Sequence, residues 1–157
     1  MIVVPAQLTD WHDTSARQAI ELTEYFLANF SVDVSRVYAA GYSAGGETMS
    51  QAVSMRPDLY APIAENGTAV YIFMAEHDEY YGSQRAWSAY NSLHDAYEEA
   101  GWSEEQISNV LQIQTPNDEW FAQRGVTSNY HGGGNVVFGE YDVLNWVLSH
   151  TKEENES

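Results

Sequence analysis

The chain has 157 residues, 44% of them hydrophobic, and a formal charge of −17, with Lys152 its sole lysine. That length suits one domain with a real core, and the negative field excludes phosphate-rich nucleic acid and anionic membrane surfaces as partners. The absence of cysteine excludes disulfides, thiolate metal sites and a cysteine nucleophile, and no apolar run nears the ~20 residues needed to cross a bilayer.

In chain order, Ile2-Val3-Val4-Pro5 reads as a short buried strand ended by proline. Few domains begin abruptly inside a core strand, so further sequence is expected ahead of it. Residues 16–30 form a predicted amphipathic helix, with Ala19, Thr23, Phe26 and Phe30 on one face and Glu21 and Glu24 toward solvent. Val37-Tyr38-Ala39-Ala40 is a predicted strand that leads into Gly41-Tyr42-Ser43-Ala44-Gly45. A helix to about Met55 follows, its apolar side supplied by Met49, Ala52 and Val53, and Pro57 stops it. Residues 59–64 are a short apolar segment before an Asn66-Gly67 turn, and residues 69–75 (AVYIFMA) carry the strongest buried-strand signal. As parallel neighbours these two would need a crossover of roughly a dozen residues or more. Either they form a hairpin on the Asn-Gly turn, or the first is not a strand, or a crossover is absent from this chain.

Residues 76–82 form a loop, after which Ser83 opens a helix to about Ala100 with Ala86, Tyr90, Leu93 and Tyr97 on one face and Gly101 at its end. Ser103 starts a short helical stretch, and residues 110–114 are a last, shorter strand. Residues 117–129 are irregular with one helical turn around Trp120. Residues 141–150 form a final amphipathic helix, and 152–157 a charged, frayed tail. The alternation predicts an α/β fold: a mostly parallel sheet of about four to five strands with helices on both faces, one domain over residues 1–151. Ligands in such sheets bind at the carboxyl ends of the strands, where Ser43, the 76–82 loop and the 117–135 loop would lie.

The run around Ser43 is a G-x-S-x-G pattern set between strand and helix, the context in which it acts as a nucleophile turn. Gly41 and Gly45 carry no side chains to collide as the chain doubles back, and the helix start behind Ser43 favours negative charge beside it. A serine needs a base in reach, and the base an orienting carboxylate. Asp78 follows the strongest strand and His131 lies in a glycine-rich loop before the last helix, which gives the order Ser, Asp, His of nucleophile-turn hydrolases. His12, His77, His94 and His150 compete with His131, although His94 falls within a helix and His77 reads as a surface turn. His131-Gly132-Gly133-Gly134 also spells an oxyanion-hole string, but that string belongs upstream of the nucleophile, which argues for coincidence. No histidine pair has metal-binding spacing, so neither a catalytic metal nor a cofactor is expected.

Through Ile2-Val3-Val4-Pro5, residues 31–46 (SVDVSRVYAAGYSAGG), residues 75–81 (AEHDEYY) and His131 with Trp146, the chain resembles an α/β-hydrolase of the esterase kind, close to the feruloyl esterase and polyhydroxybutyrate-depolymerase-like group. The resemblance implies Ser43 as nucleophile, Asp78 as triad acid, His131 as base and the Ala44 amide as an oxyanion donor. It implies three more strands and a second oxyanion loop upstream of Ile2, so the fold is expected as a truncated α/β-hydrolase. Trp11, Tyr42, Tyr80 and Trp120 are the expected substrate-binding aromatics. The expected function is a serine carboxylester hydrolase that works on a small-molecule ester through an acyl-enzyme. The alternatives are a catalytically impaired fragment that acts as a binding or homo-oligomerisation module through an open sheet edge, and a serine peptidase with the same machinery. No signal peptide is visible, so a cytoplasmic location is expected, with secretion open if sequence precedes Met1.

Overall fold

The computed structural model describes residues 2–60 and 69–151, and these gather into two compact units, one before and one after residues 61–68 in the chain. The expected Asn66-Gly67 turn, most of the 59–64 segment and the 152–157 tail lie outside the described residues. Among the described residues no helix is long and apolar enough to cross a membrane.

The first unit is helical. Its elements are α1 (Asp13–Asn29), α2 (Ala44–Met55) and α3 (Pro57–Tyr60). Asp10 anchors the start of α1: its Oδ1 accepts the N–H groups of His12 and Ser15 at 3.1 and 3.2 Å, and the Ser15 hydroxyl accepts the Asp10 N–H at 2.8 Å. The core joins Ala16, Ala19 and Ile20 of α1 to Ala52 of α2 and to Leu59 and Tyr60 of α3. Alanines at the crossing let the helices approach closely, and Thr23 meets the Tyr60 hydroxyl at 2.8 Å. Pro57, expected only as a stop, also opens α3, because its fixed φ and missing N–H suit a first helical position.

Among the described residues two predicted strands are absent. Ile2, Val3 and Val4 are exposed rather than buried, and neither they nor residues 37–40 join a ladder. A run of apolar residues becomes a strand only when its backbone groups meet those of another strand. Val37 and Ala39 still pack against the helical core, so the alternating pattern is used for burial without pairing.

In the second unit β1 (Val70–Phe73) and β2 (Leu111–Gln114) pair in parallel, Val70 opposite Leu111 and Phe73 opposite Gln114. The crossover that parallel pairing demands is α4 (Ser83–Glu99) with α5 (Glu104–Val110). Gly101 turns the chain between them at φ +87°, and Ser103 with Gln106 forms a capping box at the start of α5. Period-two alternation divides β1 between two faces. Val70 and Ile72 pack with Tyr97, Ile107 and Leu111 under α4 and α5. Tyr71 meets Trp146 of α8 (Tyr141–Ser149), and Phe73 meets Trp120 and Phe121 of α6 (Asp118–Ala122). The expected parallel sheet with helices on both faces is therefore present, with two strands among the described residues rather than four to five. Beyond the strands, Met74 N–H donates to the Gln114 carbonyl at 3.1 Å and Glu76 N–H to that of Pro116 at 2.9 Å, which fixes the loop that follows β1.

Candidate active site

In the first unit Ser43 stands at a sharp turn. The Gly45 N–H donates to the Tyr42 carbonyl at 2.9 Å, and Ser43 has φ 53° and ψ −127°. Those values match the first central position of a type II′ turn, which glycine normally fills. α2 begins at Ala44, where a helix has no internal partner for its N–H, and Gly46 and Glu47 donate back to the Ser43 carbonyl at 2.8 and 3.2 Å. A Cβ on Gly41 would stand 2.3 Å from the Gly45 carbonyl oxygen, so this glycine is required by close approach. Gly45 is not: a Cβ there meets nothing within 4 Å, which corrects the expectation that both glycines avoid collision.

In the second unit Asp78 and His131 come together. Asp78 lies just past the carboxyl end of β1, and its side chain is 6% exposed. Its Oδ1 accepts the N–H groups of Tyr80 and Tyr81 at 2.9 and 2.7 Å, and its Oδ2 lies 2.8 Å from His131 Nδ1. Burial pushes the carboxyl pKa up, but the hydrogen bonds from Tyr81 N–H, the His131 ring and Tyr80 N–H outweigh it and hold the group below the usual carboxylate range. An ionised carboxylate only accepts, so Nδ1 of His131 is the donor and carries a proton.

The glycine run after His131 forms α7 (Tyr130–Gly133), a helical turn rather than a loop. Glu79 accepts the Tyr130 and His131 N–H groups at 2.9 and 3.0 Å. These contacts lower its carboxyl pKa, the His131 N–H most and the Tyr130 N–H next. Tyr80 stacks on the His131 ring with centroids 5.1 Å apart, and Tyr81 meets the same ring edge-on at 5.4 Å. Arg124 lies 3.6 Å over the Trp120 ring and binds both Glu140 oxygens at 2.7 Å, one pair from Nε and one from Nη2. This pins the two ends of the segment that carries α7.

Of the expected substrate-binding residues, Tyr80 is placed against the His131 ring and is 73% exposed. Trp120 lines a cleft of about 610 Å³ with Glu76, Trp87 and Asn117, a cleft whose walls include neither Asp78 nor His131. Trp11 is exposed, and Tyr42, Ser43 and Ala44 are half-buried in the first unit. Three of the competing histidines have other partners. His77 pairs with Asp118 at 2.9 Å, His94 lies 3.2 Å from Glu104, and the His150 ring nitrogens face the carbonyls of Trp146 and Asn109. Sequence reasoning missed Glu79, which lies in the 76–82 loop. Nothing local to Glu79 reveals that residues 51 and 52 positions later return to it.

The prolyl oligopeptidase family model matches residues 6–119, a span that takes in the Ser43 turn and Asp78 and ends before His131. No curated protein and no solved structure matches the chain. A match over well more than half the sequence, centred on a glycine-flanked serine turn and a βαβ unit with an acid at its carboxyl edge, places the chain in the prolyl oligopeptidase family, which consists of serine hydrolases of the α/β-hydrolase superfamily.

Proposed function

We propose that the protein is a serine hydrolase in which Ser43, His131 and Asp78 form the triad and the preferred substrate is a small carboxylic ester. The observation that carries this reading is the 2.8 Å bond from His131 Nδ1 to a buried, ionised Asp78. With Nδ1 holding a proton toward Asp78, Nε2 is the nitrogen with a lone pair for the serine proton. Ser43 Oγ attacks the ester carbonyl as His131 Nε2 takes its proton. The Ala44 N–H, at the positive end of α2, donates to the developing oxyanion. The protonated imidazole passes that proton to the leaving alcohol, and the acyl group stays on Ser43. Water, deprotonated by Nε2, then releases the acid and restores the serine. Tyr80, stacked on the base, forms one wall of the substrate site.

A fluorophosphonate probe tests the reading directly. Stoichiometric labelling at Ser43, lost in Ser43→Ala together with p-nitrophenyl acetate hydrolysis, is the expected result. Hydrolysis that persists in Ser43→Ala overturns it, and well-folded protein that never labels supports the catalytically impaired alternative. Asp78→Asn places an amide N–H against His131 Nδ1 and selects the wrong tautomer, so kcat is expected to fall on the order of 10⁴-fold.

The family match favours a second reading, peptide-bond hydrolysis by the same residues. An amide has the poorer leaving group and depends more on proton delivery by His131. Turnover of a prolyl-linked p-nitroanilide with kcat/KM comparable to that for the ester supports the peptidase; turnover of the ester alone supports the esterase.

A further inference from the structure

Glu79 follows the triad acid and is exposed, yet its carboxylate is fully engaged. Oε1 accepts the Tyr130 N–H at 2.9 Å and Oε2 the His131 N–H at 3.0 Å. The next two amides are met from inside the turn. Gly132 N–H donates to Asn129 Oδ1 at 3.0 Å, and Gly133 N–H to the Asn129 carbonyl at 2.8 Å. The amides of Tyr130, His131 and Gly132, which a helix start leaves without internal partners, are thus satisfied by side chains, and the Gly133 N–H makes the first bond of the helix itself. Asn129 makes its contribution from a left-handed conformation, φ 53° and ψ 60°, which asparagine tolerates better than most residues.

We propose that Glu79 is a positioning residue for His131: a single loop grips the histidine twice, Asp78 by the ring and Glu79 by the backbone. The proposal rests on the hydrolase reading above. An imidazole tethered at one nitrogen can pivot about that hydrogen bond, and fixing its backbone removes the pivot. Catalytic placement is unforgiving, since a misplacement of about 1 Å can cost on the order of 10²-fold in rate. The chemistry also selects the residue type. A carboxylate accepts two parallel N–H groups, one on each oxygen, and its charge strengthens both bonds. A glutamine would turn an NH₂ toward one of those amides, donor against donor. An aspartate keeps both acceptors on a stem one methylene shorter.

The test compares the full chain with Glu79→Gln and Glu79→Asp in p-nitrophenyl acetate kinetics, thermal unfolding and amide hydrogen exchange at Tyr130 and His131. In Glu79→Gln, kcat is expected to fall roughly 10- to 100-fold with KM little changed, while the unfolding midpoint stays near the parent's and both amides exchange faster. Glu79→Asp is expected to recover part of the lost kcat. A parent-like kcat in Glu79→Gln overturns the proposal, as does a loss fully explained by a lower folded fraction, or a Glu79→Asp variant no better than Glu79→Gln. If the parent neither turns over ester nor labels at Ser43, the hydrolase reading fails on its own. The backbone grip is then judged by exchange alone: unchanged Tyr130 and His131 rates in Glu79→Gln overturn it, and faster rates support it.

Discussion

Ser43 occupies a backbone position that suits glycine, with φ 53° and ψ −127°. A side chain held there costs roughly 1–3 kcal/mol. The surroundings impose the conformation, because Gly41 passes so close to the Gly45 carbonyl that only a bare Cα fits. Ser43→Gly is therefore expected to stabilise the protein by about 1 kcal/mol, net of the extra freedom glycine adds to the unfolded chain, and to abolish labelling. Ser43→Ala keeps the strain and should unfold near the parent. The urea midpoints of the two variants, compared at constant m, isolate the backbone contribution; a glycine variant less stable than the alanine variant contradicts it. The turn at this residue was legible because its signal lies in adjacent positions. Asp78 and His131 were singled out through chain order, and Asp78 Oδ2 lies 2.8 Å from His131 Nδ1. Glu79 was not, since its partners are set by tertiary closure of a distant turn.

At the scale of elements, α1, α2, α4 and α8 follow the apolar period and the stops closely. α7 does not. Tyr-His-Gly-Gly has poor helix propensity, and the turn forms because Glu79 and Asn129 meet its amides from outside the local pattern. Its glycines answer to space. A Cβ on Gly133 would sit 2.4 Å from Val126 Cγ1, and β-branched valine has few rotamers to escape into. Gly133→Ala is accordingly expected to destabilise the protein by about 1–3 kcal/mol, with much of that returned in the Gly133→Ala/Val126→Ala double variant. Equal losses in the single and double variants, measured by thermal unfolding, would assign the cost elsewhere. The predicted strands at residues 2–5 and 37–40 failed for a different reason: an apolar pattern states what a segment can bury and leaves open which backbone it pairs with.

For the whole molecule, 23 acidic residues face 6 lysines and arginines. Self-repulsion works against ion pairs such as those that Arg56 makes with Glu24 and Asp58 and that Arg124 makes with Glu140. Added salt shortens the screening length from about 30 Å at 0.01 M to about 3 Å at 1 M, so the thermal midpoint is expected to rise with sodium chloride. Acid acts with the opposite sign. The carboxyls of Asp10, Asp33, Asp78 and Glu140 are held below their ordinary values in the folded protein. Their contribution is complete above the unfolded values, about 3.9 for Asp and 4.3 for Glu, and is lost as pH falls through the lower folded values. Thermal scans should show the midpoint dropping below about pH 4; a midpoint that climbs from pH 4 to pH 2 contradicts this. The parallel, helix-covered character of the sheet was legible from the alternation of periods, whereas the number of strands was not, because pairing is a property of the assembled fold.

The brace between Arg124 and Glu140 makes residues 125–139 a noose with a tied neck. Slack added inside such a noose is cheap, about 0.6 kcal/mol for each doubling of its length, so long as the knot and the anchor on Tyr130 and His131 survive. That gives this stretch the properties of an exchangeable cassette: its contour can be rewritten around a stationary histidine, a freedom that natural or laboratory variation in what the site accepts could draw upon.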